Sequence, residues 1–385
     1  MTEIYFDNSA TTKMSLAAAK KMAEVIELHY GNPSSLHARG LDAEHIKEEA
    51  RRIVLSSLGI QRGVRGELVF TSGGTESNNL AILGAVNAKS RKGGEKILIT
   101  AGEHSSVEET AVSLEKKGFT VLRVPTRGGM LDIDFIKENG KGAILASFMH
   151  VNNETGALYE LKKAFDAVRL VSPGCVTHAD CVQSYMKVKF SKKAVGADLI
   201  TLSAHKVNGA KGVGALYIAP EILKAKKIVP IVYGGGQEEN IRSGTENVYG
   251  IVAFGEAVRE HMTKLDAEIS GMDSLRSYII EGLSKIEVRP NLPEKHSPHI
   301  INITLPGIRS ETMLHYLSAK GIYVSSGSAC SSHSGKVSSA LKAFGLTDSE
   351  ADSSVRVSLC PENTKAEADT FLTALSEGIT SLQRK

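Results

Sequence analysis

The stretch from Asp198 to Ile218, DLITLSAHKVNGAKGVGALYI, sets an apolar run directly before a lysine and a glycine-rich turn. DLITLS (198–203) is short, rich in β-branched residues and bounded by breakers, which predicts a buried strand. A lysine is ordinarily a solvated surface charge, yet Lys206 follows a run that buries its surroundings. Burial disfavours the ammonium form, and an uncharged amine is the nucleophile that condenses with carbonyls. What that lysine serves depends on what the other strand ends bring to it.

The same strand signature recurs in ELVFT (67–71), KILIT (96–100), FTVLRV (119–124), GAILASF (142–148) and CVTHAD (175–180). Helical patterns lie between these runs. LDAEHIKEEARRIVLSSLG (41–59) carries Ile46, Ala50, Ile53 and Val54 at three- and four-residue spacing with Gly59 as a stop, and amphipathic segments follow Thr75, Ser105 and Leu158. Strand-helix alternation of this kind predicts an α/β fold with a mostly parallel sheet covered on both faces. After YGGGQEENIRSGTEN (233–247) a helical stretch from Val248 to about Leu283 has no strand partner, and the rest of the chain returns to mixed α and β. The expected division is a large sheet domain over 15–254 and a smaller α+β C-terminal domain over 255–385, joined by residues 1–14.

The 385 residues include 46 Lys and Arg against 43 Asp and Glu, a formal charge of +3. Basic pairs such as Lys192-Lys193 and Lys226-Lys227 are isolated rather than striped, which argues against nucleic acid as a main partner. MTEIYFDNSATT at the N-terminus has no apolar core, and no apolar run approaches the ~18 residues of a membrane span, so a soluble cytoplasmic protein is expected. The four cysteines, Cys175, Cys181, Cys330 and Cys360, show no Cys-x-x-Cys spacing, and reduced thiols follow as the default. Cys175 and Cys181 lie in partly apolar surroundings, whereas Cys330 sits in SSGSACSSHSG without apolar cover. Cys330 and His333 alone make a poor metal pair, and no metal site is expected.

Ligands of open parallel sheets bind beyond the carboxyl ends of the strands. ELVFT runs into Ser72-Gly73-Gly74-Thr75, where glycines and a helix start would suit a phosphate, although an ordinary capped turn reads the same way. KILIT is followed by His104, GAILASF by Asn153, and CVTHAD ends on Asp180 with Gln183 shortly after. DLITLS ends on Ser203, ahead of His205 and Lys206. A condensing lysine, a carboxylate and a phosphate cup together point to pyridoxal 5'-phosphate. Lys206 would hold the aldehyde and Asp180 would keep the ring nitrogen protonated. Gln183 would bond the phenolic oxygen, His104 would stack on the ring and shuttle protons, and Thr75, Ser203 and His205 would hold the phosphate. Each of these has an alternative as a cap or a satisfied core polar group, and their convergence on strand ends is what favours the cofactor.

These residues resemble the cysteine desulfurases of the class-V aminotransferase group, which have the aspartate-aminotransferase-like fold. The resemblance runs through YFDNSATT (5–12), GNPSSLHARG (31–40), TSGGTESNNLAI (71–82), EHSSV (103–107), MHVNNETG (149–156), HADCVQS (178–184), SAHKVNGAKGVGALY (203–217), GGGQEENIRSGTEN (234–247), SSGSAC (325–330) and SSVRVSL (353–359), and so covers nearly the whole chain. It implies that Lys206 is the Schiff-base lysine, His104 the stacking residue, and Gly74, Thr75, Asn153, Asp180, Gln183, Ser203 and His205 cofactor contacts. It also implies that Thr245 reaches the phosphate of a neighbouring subunit, which makes an obligate homodimer. Arg356 matches the arginine that pairs with the substrate carboxylate, with Asn153 beside it, a task for which a planar charged fork is suited. Cys330 matches the thiolate that attacks the sulfur of L-cysteine, with His333 placed to bias its ionisation.

The reaction implied yields L-alanine and a persulfide on Cys330, which passes to a sulfur-acceptor protein. The spacing from Cys330 to Gly345 is similar to the branch that supplies iron-sulfur cluster assembly or tRNA thiolation. Cys360 stands where that branch has glycine. Alternatives are a selenocysteine lyase, another aminotransferase-type enzyme that needs no thiol, or a sulfur-transfer scaffold that has lost its cofactor.

Overall fold

A computed structural model describes residues 3–89, 95–305, 307–326 and 338–383. In chain order the strands are β1 (Ile4–Tyr5), β2 (Leu68–Thr71), β3 (Lys96–Thr100), β4 (Thr120–Val124), β5 (Ala143–Met149), β6 (Val176–Asp180), β7 (Leu199–Ser203), β8 (Gly214–Ile218), β9 (Arg289–Pro290), β10 (Ile300–Thr304), β11 (Ile322–Tyr323) and β12 (Ser354–Ser358). Seven of them form one sheet in the order β2-β8-β7-β6-β5-β3-β4. Strand β8 runs antiparallel to both neighbours, and the other pairs are parallel. Every residue of β5, β6, β7 and β8 is buried, as strands covered on both faces must be.

The predicted strands agree with these to within a residue or two at each end. Strand β8 is the addition: its GALYI follows so closely on a glycine-rich turn that the run reads as part of that turn. Gly214 opens β8 because a Cβ there would lie 2.6 Å from the carbonyl carbon of Gly73, so only glycine lets β8 lie against the turn that follows β2.

The helix Val248–Lys285 is continuous through Gly255, with Asn247 capping its N-terminus by accepting from the Gly250 N–H. Its first turns bury Ile251, Phe254 and Val258 in the core of the large sheet, and its last turns bury Leu275, Ile279 and Leu283 in a second core. That second core backs the antiparallel sheet β12-β10-β9 and the parallel pair β1-β11. The N-terminal segment ties the two cores together. Phe6 is fully buried against Phe371, edge to face at 5.7 Å, and Ser358 N–H donates to the Phe6 carbonyl at 2.7 Å. A few residues on, Thr12 N–H donates to the His205 carbonyl at 2.9 Å. Phe6→Ala is therefore expected to destabilise the protein by about 3–5 kcal/mol in denaturant unfolding, the usual effect of emptying a buried aromatic site.

Candidate active site

The carboxyl ends of β2, β3, β5, β6 and β7 open into one cavity of about 250 Å³. Most of the residues singled out above meet there: Gly74, Thr75, His104, Asn153, Asp180, Gln183, Ser203, His205, Lys206 and Arg356 all line it. Thr245 is exposed, on the loop before the long helix, and does not line this cavity. Cys330 and His333 lie outside the described residues.

Lys206 closes a short 3-10 turn, Ala204–Lys206, that leaves the end of β7. Its Nζ donates to the carbonyls of Ser9 at 2.5 Å and Ala10 at 2.7 Å. Gln183 Nε2 donates to the same Ser9 carbonyl at 2.8 Å. Asp180 ends β6 and is only 6% exposed. Its Oδ2 accepts from Asn78 Nδ2 at 2.7 Å and its Oδ1 from the Val182 N–H at 3.0 Å. Among the described residues no cation pairs with it. A buried carboxylate without a counter-charge is costly, so the site calls for a positive group beside Asp180.

At the opposite end of the cavity the helix Gly74–Ala88 begins without a side-chain cap, which leaves the first-turn N–H groups to an external acceptor. Gly74 packs so closely that a Cβ would lie 2.9 Å from Val182 Cγ2. Ser203 Oγ and Gln183 Oε1 are buried and have no hydrogen-bond partner among the described residues. Orphaned polar atoms, an uncapped helix start and an unpaired carboxylate fit a ligand with a phosphate at one end and a protonatable ring nitrogen at the other.

His104 caps the helix Ser105–Glu115, and its Nδ1 accepts from the Ser106 N–H at 3.2 Å. Burial and then the Lys206 charge push its pKa down, against the pull of Asp180. His205 is driven to about 4 by burial, followed by Lys206, Lys187 and Lys211, and its Nδ1 lies 3.1 Å from Thr11 Oγ1. Arg356 is 1% exposed on β12, donating to the Asn153 carbonyl at 2.9 Å and to Asp7 Oδ1 at 2.8 Å. Its ion pair is thus interior. Behind Asp180, Glu103 is buried, accepts from Thr100 Oγ1 and from the Met149 N–H at 2.8 Å, and among the described residues its Oε2 has no hydrogen-bond partner. Burial, reinforced by Asp180, raises its pKa to about 8.

Sequence reasoning missed Asn78, which orients Asp180. Its signal was available, since an asparagine in a helix interior is unfavourable unless its amide has a task. The carbonyls of Ser9 and Ala10 carry no such signal, because backbone acceptors are invisible in residue types. Cys175 and Cys181 are buried, and burial raises both thiols, Cys175 to about 12.

A family model described as aminotransferase class-V matches residues 4–371. A protein named cysteine desulfurase IscS 1, from Archaeoglobus fulgidus, is 36% identical over 375 residues, covering 96% of this chain and 95% of that relative. A cysteine desulfurase IscS from Dictyoglomus turgidum is 37% identical over 386 residues, covering 99% of this chain and 95% of its own. A solved NifS-like protein superposes with a TM-score of 0.91 at 33% identity, over 98% of this chain and 100% of that one. The chain belongs to the class-V aminotransferase family, in the company of its cysteine desulfurases. Members of that family depend on pyridoxal 5'-phosphate.

The raised pKa of Glu103 has a consequence for stability. Between the unfolded value of 4.5 and the folded value of about 8 the native state keeps a proton that the unfolded chain has released. Stability from Glu103 is therefore full below pH 4.5 and lost as pH rises through 8. Glu103→Gln, which stays neutral, is expected to match the parent near pH 5 and to exceed it at pH 9 by on the order of 2 kcal/mol or more in denaturant unfolding.

Proposed function

We propose that this chain is a cysteine desulfurase that removes the sulfur of L-cysteine with pyridoxal 5'-phosphate, leaving L-alanine and a persulfide on Cys330. The observation that carries this reading is the buried, unpaired Asp180 carboxylate in one cavity with Lys206 and the uncapped helix start at Gly74. When bound, the cofactor supplies an aldehyde that condenses with amines and a ring that takes up electron density.

The residues then divide the work. Lys206 Nζ would hold the cofactor through its aldehyde carbon and would take the Cα proton of the substrate. Asp180 keeps a proton on the ring nitrogen, and Asn78 fixes the carboxylate's direction. Gln183 would meet the ring's phenolic oxygen through its side-chain amide, and His104, whose pKa burial lowers, would cover the ring and relay protons. Gly74, Thr75, Ser203 and His205 hold the phosphate. Arg356, steadied by Asp7, receives the substrate carboxylate together with Asn153. Cys330 attacks the substrate sulfur as a thiolate, and the carbon-sulfur bond breaks toward the substrate carbon.

In this reading residues 15–254 bind the cofactor, and residues 255–385 contribute Arg356 and Cys330. A second subunit brings Thr245 to the phosphate. Tyr30, Leu36 and Tyr233, which are large, apolar and well exposed, favour a homodimer. The sulfur passes to an acceptor protein of iron-sulfur cluster assembly or tRNA thiolation, and the setting is the cytoplasm. No described helix is long and apolar enough to cross a membrane.

Purified protein supplied with the cofactor, L-cysteine and a mild thiol reductant is expected to release alanine and sulfide in equal amounts. Cys330→Ala is expected to slow sulfide release by on the order of 10²-fold or more while the cofactor stays bound. Undiminished release by that variant contradicts the thiolate step, and turnover of selenocysteine alone favours a lyase. Lys206→Ala is expected to lose at least about 10²-fold in alanine formation.

A further inference from the structure

The ring proposed to cover the cofactor is held from behind by one serine. His104 is an unusual helix cap, because caps are commonly side-chain oxygens and here a ring nitrogen takes that part. Its Nδ1 accepts from the Ser106 backbone N–H at 3.2 Å. A backbone N–H can only donate, so Nδ1 of the neutral ring carries no proton. The Ser106 hydroxyl oxygen lies 2.8 Å from the same nitrogen. Nε2, across the ring, has no hydrogen-bond partner among the described residues, and His104 lines the cavity.

The direction of that hydroxyl is set from Asp180 outward. A carboxylate only accepts, so the Asn78 atom 2.7 Å from Asp180 Oδ2 is the amide nitrogen and not the amide oxygen. The second hydrogen of that nitrogen reaches Ser106 Oγ at 2.8 Å. With Oγ engaged as an acceptor on that side, its own hydrogen is directed to His104 Nδ1. Ser106 and Asn78 are both buried, so little solvent competes for these bonds. The charged groups acting on the ring are Asp180 at the end of β6 and Lys206 after β7, and burial, the largest influence, lowers the His104 pKa. His205 and Arg356 line the same cavity. The Glu103 carboxyl, raised to about 8, precedes the ring in the chain, and Glu108 on the ring's own helix pairs with Arg123. Among the described residues none of these bonds to Nδ1.

We propose that Ser106 is a positioning residue for this chemistry: it donates twice to Nδ1, fixes His104 in the tautomer that carries its proton on Nε2, and so leaves a donor to the cavity. Nε2 then meets an acceptor atom of whatever lies over the ring. Nδ1 takes up a further proton only by giving up both Ser106 bonds, so the hydroxyl favours the neutral ring. The same hydroxyl joins His104 to Asp180 through Asn78, and one row of hydrogen bonds sets both residues. The inference rests on the reading of His104 as the residue that covers the cofactor.

The test is nitrogen-15 magnetic resonance of the histidine rings in the holoenzyme, followed as a function of pH, with His104→Gln identifying the His104 signals. In the parent at about pH 8 the signals are expected to show a proton on Nε2 and none on Nδ1. Ser106→Ala removes the hydroxyl donor and is expected to raise the midpoint of His104 protonation by about half to one pH unit, roughly a three- to tenfold gain in proton affinity, whereas Ser106→Thr keeps the parent midpoint. A proton on Nδ1 in the neutral ring of the parent overturns the inference whatever the variants do. An unchanged midpoint in the alanine variant overturns it as well, because the hydroxyl then has no hold on the ring. An equal rise in both variants also overturns it, because packing rather than the hydroxyl then governs His104. The reading of His104 is tested separately by adding pyridoxal 5'-phosphate to the apoprotein. His104 signals that do not move overturn that reading, and the positioning role with it, whichever nitrogen carries the proton.

Discussion

One negative charge, buried at the end of β6, constrains the rest of the site. Asp180 is held by an amide from Asn78 and a backbone N–H from Val182, and these hydrogen bonds orient the carboxylate without neutralising it. An isolated carboxylate in such a place costs several kcal/mol unless a cation completes it. The neighbours are arranged so that the charge stays singular. Glu103 lies close behind, and burial together with Asp180 itself keeps its carboxyl protonated up to about pH 8. His104 is kept neutral in front, chiefly by burial. In the proposed function the protonated ring of the cofactor is the group that answers this charge.

The second constraint is connectivity. Lys206 and Gln183 come from different strand ends, yet both donate to the carbonyl of Ser9, which belongs to a segment that starts in the other core. Ser9 N–H is in turn held by Ser358 Oγ at 2.8 Å, two residues from Arg356. Lys206 and Gln183, proposed to hold the cofactor, and Arg356, proposed to meet the substrate carboxylate, are therefore tied through one short stretch of backbone. A shift of β12 against the large sheet would be felt at Lys206 through two hydrogen bonds.

Much of this was legible in the residues. Short β-branched runs between helical patterns mark the sheet, and reading the residue after each run finds Asp180, His104, Asn153 and Lys206, because parallel strands all deliver their next residue to the same edge. What stayed hidden has physical causes. Strand β8 is masked by the glycine-rich turn before it and by Gly214, which the approach of Gly73 requires and which gives no strand signal. Asn78 and Glu103 act on Asp180 across the fold, and nothing in their local sequence names that partner. The ion pair from Asp7 to Arg356 joins residues at opposite ends of the chain.

The central claim is that the Asp180 charge, and not merely its shape, makes the bound cofactor reactive. Asp180→Asn in the holoenzyme removes the charge and keeps nearly the same volume and the acceptor for Val182. The decisive measurement is the rate of alanine formation from L-cysteine by that variant, with cofactor occupancy verified by absorption. The account predicts retained cofactor and a rate lower by on the order of 10²-fold or more. A fully loaded variant that turns over within about twofold of the parent would contradict it.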